Sequence, residues 1–169
     1  FLVVAGVYLF YIHDFFEQNV ATLRPLFEVI PIIFVFYLPA LSMRLLSEEK
    51  RSGTIELLVT LPVTDTQIVV GKWLGAFIFM CITLLMTLAF PIVVGSMGDL
   101  DSGQVIGGYV GLLFVGAAYL SIGVLTSSLT KNQIVAYILA AVLCAFFYWI
   151  DWMIGSFWEG GRDAVAALS

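Results

Sequence analysis

Residues 73–97 read WLGAFIFMCITLLMTLAFPIVVGSM and contain no charged side chain. This run is longer than the roughly 20 apolar residues that an α-helix needs to cross the hydrocarbon core of a bilayer. Two more charge-free runs follow at 102–130 and 132–150, and an apolar run at 25–43 precedes it, with Glu28 one turn inside its first end. The sequence therefore predicts four whole membrane-spanning helices.

The composition indicates the same class of protein. Of the 169 residues, 62% are hydrophobic and 11% are charged, whereas an average soluble domain carries about 25% charged residues. A soluble fold of this length cannot bury so much apolar surface. Residues 1–12 begin inside an apolar run without an initiator Met, so we interpret them as the end of a fifth, partial span. We therefore expect one all-α polytopic membrane domain, residues 1–169, truncated at both ends.

The distribution of Lys and Arg orients these spans. When successive loops alternate between the two sides of the membrane, one side collects five of the seven basic residues: Arg44, Lys50, Arg51, Lys72 and Lys131. The other side holds Arg24, Arg162 and most of the acidic residues. The positive-inside rule places the basic side in the cytoplasm, so segment 44–72 is predicted to be cytoplasmic.

The first half of this segment carries a helix end. Segment 44–72 reads RLLSEEKRSGTIELLVTLPVTDTQIVVGK. We expect the incoming helix to continue past the membrane surface through Glu48, Glu49, Lys50 and Arg51, because the two basic residues suit the negative end of a helix dipole. Gly53 then fits the left-handed position that ends a helix.

The second half of segment 44–72 predicts a short apolar helix that begins after Thr54 and ends at Pro62. Thr54 can cap this helix, Glu56 lies in its first turn, and Pro62 ends it. Its apolar side chains, five of the seven residues 55–61, include Ile55, Leu57, Leu58, Val59 and Leu61. About two turns are too short to be stable alone in water. We favour a docking element for a cytoplasmic partner. Attachment to the membrane surface and an ordinary solvated loop are the alternatives.

The returning span begins with its own signal. Thr64 and Gln67 form the pattern of a capping box, in which side chain and backbone satisfy each other at the start of a helix. The sequence thus predicts a cytoplasmic hairpin, residues 44–72, made of a helix, a short helix and a helix.

Glycines and prolines inside the spans raise two further questions. The pairs Gly71-x-x-x-Gly75 and Gly107-x-x-x-Gly111 let helix backbones approach closely. Packing within the chain is the favoured interpretation, and contact with another subunit is the alternative. Pro31, Pro39 and Pro91 interrupt the hydrogen bonding of their helices, either to shape the spans or to act as hinges.

The sequence contains no pattern that predicts catalysis. It has no phosphate-binding P-loop and no GxGxxG. His13 is the only histidine, and with Glu17 it supplies too few ligands for a closed metal site. No basic stripe suits nucleic acid. Ionisable residues are missing from the middle of the spans, which disfavours ion-driven transport. We therefore predict no catalytic, cofactor-binding or metal-binding residues in this chain.

Residues 47–58, SEEKRSGTIELL, followed by Leu61-Pro62-Val63 and Gly71-Lys72, resemble the signature of ABC-2 type transporter permeases. The form of the motif is most similar to the gliding-motility-associated (GldF-like) branch. The resemblance implies a type V exporter-like transmembrane domain with six spans, of which about five are represented here. It also implies a location in the bacterial cytoplasmic (inner) membrane.

The resemblance implies partners as well. Two permease chains, as a homo- or heterodimer, would pair with two separate ABC ATPase subunits that bind ATP and Mg²⁺, and the permease would not itself be an enzyme. Carried over by position, the ATPase-coupling residues are Glu48, Glu49, Lys50, Arg51, Gly53, Thr54, Ile55, Glu56, Leu57, Leu58, Leu61 and Pro62. The expected function is to couple ATP hydrolysis to export or to other work across the membrane. The alternative is a scaffold that transports nothing and relays ATPase motion to an extracytoplasmic machine.

Overall fold

The long apolar runs fold into helices, because backbone N–H and C=O groups that lack water must find partners within the chain. A computed structural model describes residues 1–8, 23–54, 64–96 and 101–166, with the backbone alone for residue 24 and for 151–166. The described residues form these helices: α1 Leu2–Val7, α2 Arg24–Ser42, α3 Ser47–Ser52, α4 Asp65–Met86, α5 Ala89–Gly95, α6 Ser102–Leu129 and α7 Gln133–Ala166.

Four helical stretches are long and apolar enough to cross a membrane: Pro25–Ser52, Asp65–Gly95, Ser102–Leu129 and Gln133–Ile150. They coincide with the four charge-free or nearly charge-free runs of the sequence. The prediction of four whole spans in an all-α polytopic membrane protein is therefore confirmed.

Helix α2 lies at the centre of the bundle and packs against α6 and α7. Four of its fully buried side chains are spaced four residues apart and so form one stripe along the helix: Leu26, Ile30, Phe34 and Leu38. Helix α4 packs mainly on α6. The outer faces of α4, α6 and α7 expose large apolar side chains such as Ile78, Phe114 and Ile134, as expected for surfaces that face lipid.

Three glycines of α6 allow this close packing. A Cβ atom at Gly123 would lie 1.9 Å from the Ser42 Oγ of α2, and one at Gly116 would lie 2.2 Å from the Met80 Sδ of α4. A Cβ atom at Gly108 would lie 2.6 Å from the Phe27 ring. Side chains at these positions would push the neighbouring helices away, so α2, α4 and α6 meet along a line of glycines.

The glycine pairs singled out in the sequence do not have this role. A Cβ atom at Gly71, Gly75, Gly107 or Gly111 would meet no atom within 4 Å, and all four residues are exposed in the described part of the chain. The prediction that these pairs pack within the chain is wrong. Since each residue turns a helix by about 100°, α6 presents Gly108 to α2 while the preceding glycine points away.

Pro91 coincides with a break in its span. Helix α4 ends at Met86, and α5 begins at Ala89 after a turn at residues 87–88. Proline removes an N–H donor and its ring clashes with the carbonyl four residues earlier, here that of Thr87. Pro31 and Pro39 lie inside α2 without ending it. Pro91 therefore shapes its span.

Five of the seven basic residues gather at one end of the bundle, which we call the basic end. It consists of α3, the start of α4 and the turn between α6 and α7. Lys50 of α3 contacts the backbone of Ser128, near the end of α6, and Lys72 of α4 contacts Glu49 of α3. At the opposite end, the Asp101 carboxylate caps α6 by accepting hydrogen bonds from two backbone N–H groups.

Candidate functional site at the basic end

Helix α3 is the described part of the predicted coupling region. Its sequence SEEKRS places acidic residues in the first turn and Lys50 and Arg51 in the last, which complements the helix dipole. Gly53 follows with φ 77° and ψ 0°, a left-handed conformation that glycine adopts without strain. The predicted helix end at Gly53 is confirmed.

The structure describes half of the twelve predicted coupling residues. Within the described half, Glu49 and Lys50 are half-buried, whereas the remaining four residues are exposed: Glu48, Arg51, Gly53 and Thr54. The other half lies outside the described residues, namely Ile55, Glu56, Leu57, Leu58, Leu61 and Pro62. The apolar helix 55–61 therefore stays a prediction. His13 and Glu17 also lie outside the described residues.

The start of α4 has the predicted capping box. The Thr64 N–H donates to the Gln67 Oε1 at 3.0 Å, and the Thr64 Oγ1 accepts from the Gln67 N–H at 3.4 Å. Thr64 is exposed, as is Gly53 on the other side of segment 55–63. Both helices that flank this segment thus have defined ends, built by short-range interactions.

The helix that enters the basic end is interrupted, although we expected it to continue through Arg51. Helix α2 ends at Ser42, residues 43–46 form a turn, and α3 starts at Ser47. A side chain from α6 bonds to the backbone at this interruption. The Ser127 Oγ accepts hydrogen bonds from the backbone N–H groups of Leu46 at 3.1 Å and Ser47 at 3.0 Å, and its O–H donates to the Met43 carbonyl at 3.0 Å.

Ser127 is a residue that the sequence did not identify. It is completely buried, and its hydroxyl uses its one donor and both acceptor positions on the backbone of another span. The available signal was weak: Thr126, Ser127 and Ser128 form a polar run close to the end of a mostly apolar helix. The helix that these hydroxyls contact cannot be predicted from neighbouring residues, because Ser127 bonds to Ser47, 80 positions earlier in the chain.

Two lysines hold α3 against neighbouring helices. The Lys50 ammonium donates to the Ser128 carbonyl in the last turn of α6, where a cation also meets the negative end of the helix dipole. The Lys72 ammonium of α4 pairs with the Glu49 Oε1. The other carboxylate oxygen, Glu49 Oε2, is buried without a hydrogen-bond partner among the described residues. Helix α3 is thus attached to both α4 and α6.

Further polar contacts join the spans above this end. The Trp73 indole N–H donates to the Ser121 Oγ at 3.1 Å, which links the start of α4 to α6. Deeper in the bundle, Tyr37 and Thr83 share a hydrogen bond of 3.1 Å, and Thr87 and Tyr109 share one of 3.0 Å. The hydroxyl groups of the spans thus form structural bonds between helices.

This arrangement suits the transmission of motion. In the described ranges, no group of three His, Cys, Asp or Glu side chains is placed to hold a metal ion. A short charged helix is instead attached to three spans: to α2 through the chain, to α6 through Ser127 and Lys50, and to α4 through Glu49. A displacement of α3 would therefore act on the spans directly.

Comparison with known proteins gives one match. The family model described as ABC-2 family transporter protein matches residues 2–161, nearly the whole chain. No curated protein and no solved structure matches the chain.

Proposed function

Since the chain belongs to the ABC-2 family of transporter proteins, as a permease component of an ABC transporter, we propose that it couples ATP hydrolysis in separate ATPase subunits to export, or to other work, across the bacterial inner membrane. The observation that carries this proposal is the attachment of α3 to α4 and α6 by Lys72 and Lys50. Force applied to α3 would thus reach α4 and α6, in addition to α2, the span that directly precedes α3 in the sequence.

The proposed contact with the ATPase consists of α3 and the helix 55–61 predicted after it. Exposed charges at Glu48 and Arg51 would lie at the rim of the contact, and apolar side chains such as Leu58 and Leu61 would fill its centre. This division follows the usual anatomy of protein interfaces, with an apolar core and a polar rim. The exposed flanks of the segment, Gly53 and Thr64, support access by a partner.

The orientation belongs to the same proposal. The basic end would face the cytoplasm, as the positive-inside rule predicts, and ATP and Mg²⁺ would bind in the partner ATPase. A second permease chain would complete the membrane part of the complex. The motif of residues 47–58 supports the gliding-motility-associated branch of the family.

The test is copurification of ATPase activity from native membranes with the tagged chain. Changing Leu58 and Leu61 together to Asp places two charges in the proposed contact and is expected to abolish copurification. The matched control is Thr66→Asp, at an exposed position in the first turn of α4, where a negative charge is favourable. Wild-type amounts of ATPase and wild-type stimulation of its activity with the Leu58/Leu61 variant would refute the docking proposal.

A further inference from the structure

The three hydrogen bonds of Ser127 replace two hydrogen bonds of a continuous helix. In an unbroken α-helix the N–H groups of Leu46 and Ser47 would donate to the carbonyls of Ser42 and Met43, four residues earlier. Here the Ser127 hydroxyl stands between the Ser47 and Met43 groups, because it accepts from the Ser47 N–H at 3.0 Å and donates to the Met43 carbonyl at 3.0 Å. Insertion of a side chain into the helical hydrogen bonds is a recognised cause of sharp bends.

Close packing of the two backbones makes this insertion possible. Gly123 lies one turn before Ser127 on α6, and a Cβ atom there would overlap the Ser42 Oγ. Because Gly123 has no side chain, the backbones of α2 and α6 can lie close together immediately before residues 43–46. A serine hydroxyl, which extends one bond beyond Cβ, can then reach the backbone of residues 43–47.

The surrounding polar groups are satisfied while Ser127 is inserted. Ser42 and Ser127 are completely buried, the Ser42 hydroxyl donates to the Leu38 carbonyl at 2.8 Å, and the Ser47 hydroxyl also donates to the Met43 carbonyl. Without the Ser127 hydroxyl, the N–H groups of Leu46 and Ser47 would lose their partner. Buried backbone groups without partners are costly. The chain can satisfy these N–H groups again by closing the helix onto the carbonyls of Ser42 and Met43.

We propose that Ser127 is a positioning residue for ATPase coupling, whose hydroxyl keeps the helix interrupted between α2 and α3 and ties α3 to α6. The junction has two arrangements. In the interrupted one, Ser127 is inserted and Lys50 reaches the end of α6. In the continuous one, Ser47 bonds directly to Met43 and α3 extends α2 without the Ser127 contact. Elements with two discrete packings of this kind convert a local push into a defined movement.

The role in coupling rests on the proposed function, whereas the two arrangements of the junction do not. Helix α6 contacts α2 through Gly123 and α4 through Gly116. A change at Ser127 would therefore affect α6, the helix against which both α2 and α4 pack. ATPase motion applied to α3 would be expected to release or insert the Ser127 hydroxyl.

The test measures the distance between α3 and the turn that follows α6, in the full chain in lipid nanodiscs. Spin labels at Ser52, the last residue of α3 and not one of the predicted coupling residues, and at Lys131, both exposed, report this distance by pulsed electron resonance. The labels are carried on an unnatural amino acid, because Cys81 and Cys144 are free thiols. Ser127→Ala is expected to lengthen the mean distance, because the hydroxyl that holds α3 against α6 is removed.

Two variants control this measurement. Ser127→Thr keeps the hydroxyl and is expected to keep the wild-type distance. Ser128→Ala removes the neighbouring hydroxyl, which donates to the Leu125 carbonyl of its own helix, and should also leave the distance unchanged. If Ser127→Ala does not fold, Ser127→Cys, which hydrogen-bonds more weakly, should populate both distances. A wild-type distance in Ser127→Ala, or in Ser127→Cys, would overturn the proposal.

A second measurement separates this inference from the proposed function. ATPase should copurify with Ser127→Ala in wild-type amounts, but addition of ATP should no longer change the distance between the labels. Absence of ATPase from the wild-type preparation would refute the proposed function. The distances measured without ATP in the wild type and in Ser127→Ala would still test whether Ser127 holds the junction between α2 and α3. ATPase bound to Ser127→Ala with a wild-type response to ATP would refute the role of Ser127 alone.

Discussion

Lys72 and Glu49 form an ion pair between α4 and α3, across 23 positions of the chain that include the whole predicted coupling helix. Both side chains are mostly buried, with 24% of Lys72 and 23% of Glu49 exposed. The pair joins the two ends of the cytoplasmic hairpin, which lie in α3 and near the start of α4. It is therefore the natural place to test how the hairpin is held together.

Replacing Lys72 by Met should destabilise the basic end, because the Glu49 carboxylate would lose its partner in a mostly buried position. We expect a loss of about 1–3 kcal/mol, the usual cost of a buried hydrogen-bonding group left without a partner. Thermal unfolding in detergent measures this loss. Glu48→Gln, at an exposed position, is the control. If Lys72→Met with Glu49→Gln is no more stable than Lys72→Met alone, the ion pair does not explain the loss.

Gly123→Ala should destabilise the bundle, since its Cβ would lie 1.9 Å from the Ser42 Oγ and 2.7 Å from the Ser42 Cβ. Overpacking of this kind costs about 1–3 kcal/mol. The matched control is Gly111→Ala on the same helix, where a Cβ meets no atom within 4 Å and alanine favours the helix by up to about 1 kcal/mol. Equal melting temperatures for the two variants would contradict the described packing of α2 on α6.

Gly53→Ala should destabilise the end of α3, because alanine at φ 77° is strained by about 1–2 kcal/mol. Gly53→Asn should be tolerated better, since asparagine visits the left-handed region more readily. Neither side chain meets a described neighbour, because no atom of the described residues lies within 4 Å of a Cβ at this position. The measurement is thermal unfolding. An alanine variant as stable as the asparagine variant would argue against a left-handed Gly53.

Thr64→Ala removes the side-chain half of the capping box and should cost about 1 kcal/mol. The effect is local, so hydrogen exchange is the suitable measurement: the Gln67 N–H, which donates to the Thr64 Oγ1 at 3.4 Å, should exchange faster. Thr64→Ser keeps the capping oxygen and should preserve the wild-type rate. Faster exchange in both variants would show that the Thr64 hydroxyl is not what protects this amide.

Features that depend on neighbouring residues could be predicted from the sequence. The spans follow from charge-free runs, the helix end at Gly53 from a glycine after basic residues, and the start of α4 from the spacing of Thr64 and Gln67. Each of these signals lies within one helical turn or one apolar run. Local chemistry decides them, whatever the remainder of the chain does.

Features that depend on which faces meet could not be predicted in the same way. Gly107 and Gly108 are adjacent in sequence, and only the position of α2 decides that the second lies at the contact. Ser127 accepts a hydrogen bond from a backbone N–H 80 positions earlier, and no residue near Met43 predicts that the helix is interrupted there. The predicted coupling helix 55–61 lies outside the described residues, so the structure leaves that prediction as it was.

The glycines of α6 meet two kinds of side chain, and this difference divides the bundle mechanically. At Gly123 the partner is the short side chain of Ser42, fixed by its bond to the Leu38 carbonyl. At Gly116 the partner is Met80, whose unbranched thioether adapts to irregular space by changing rotamer. Met80 can thus adapt to small sliding of α4 along α6, whereas the short Ser42 side chain leaves less room for sliding of α2 along α6.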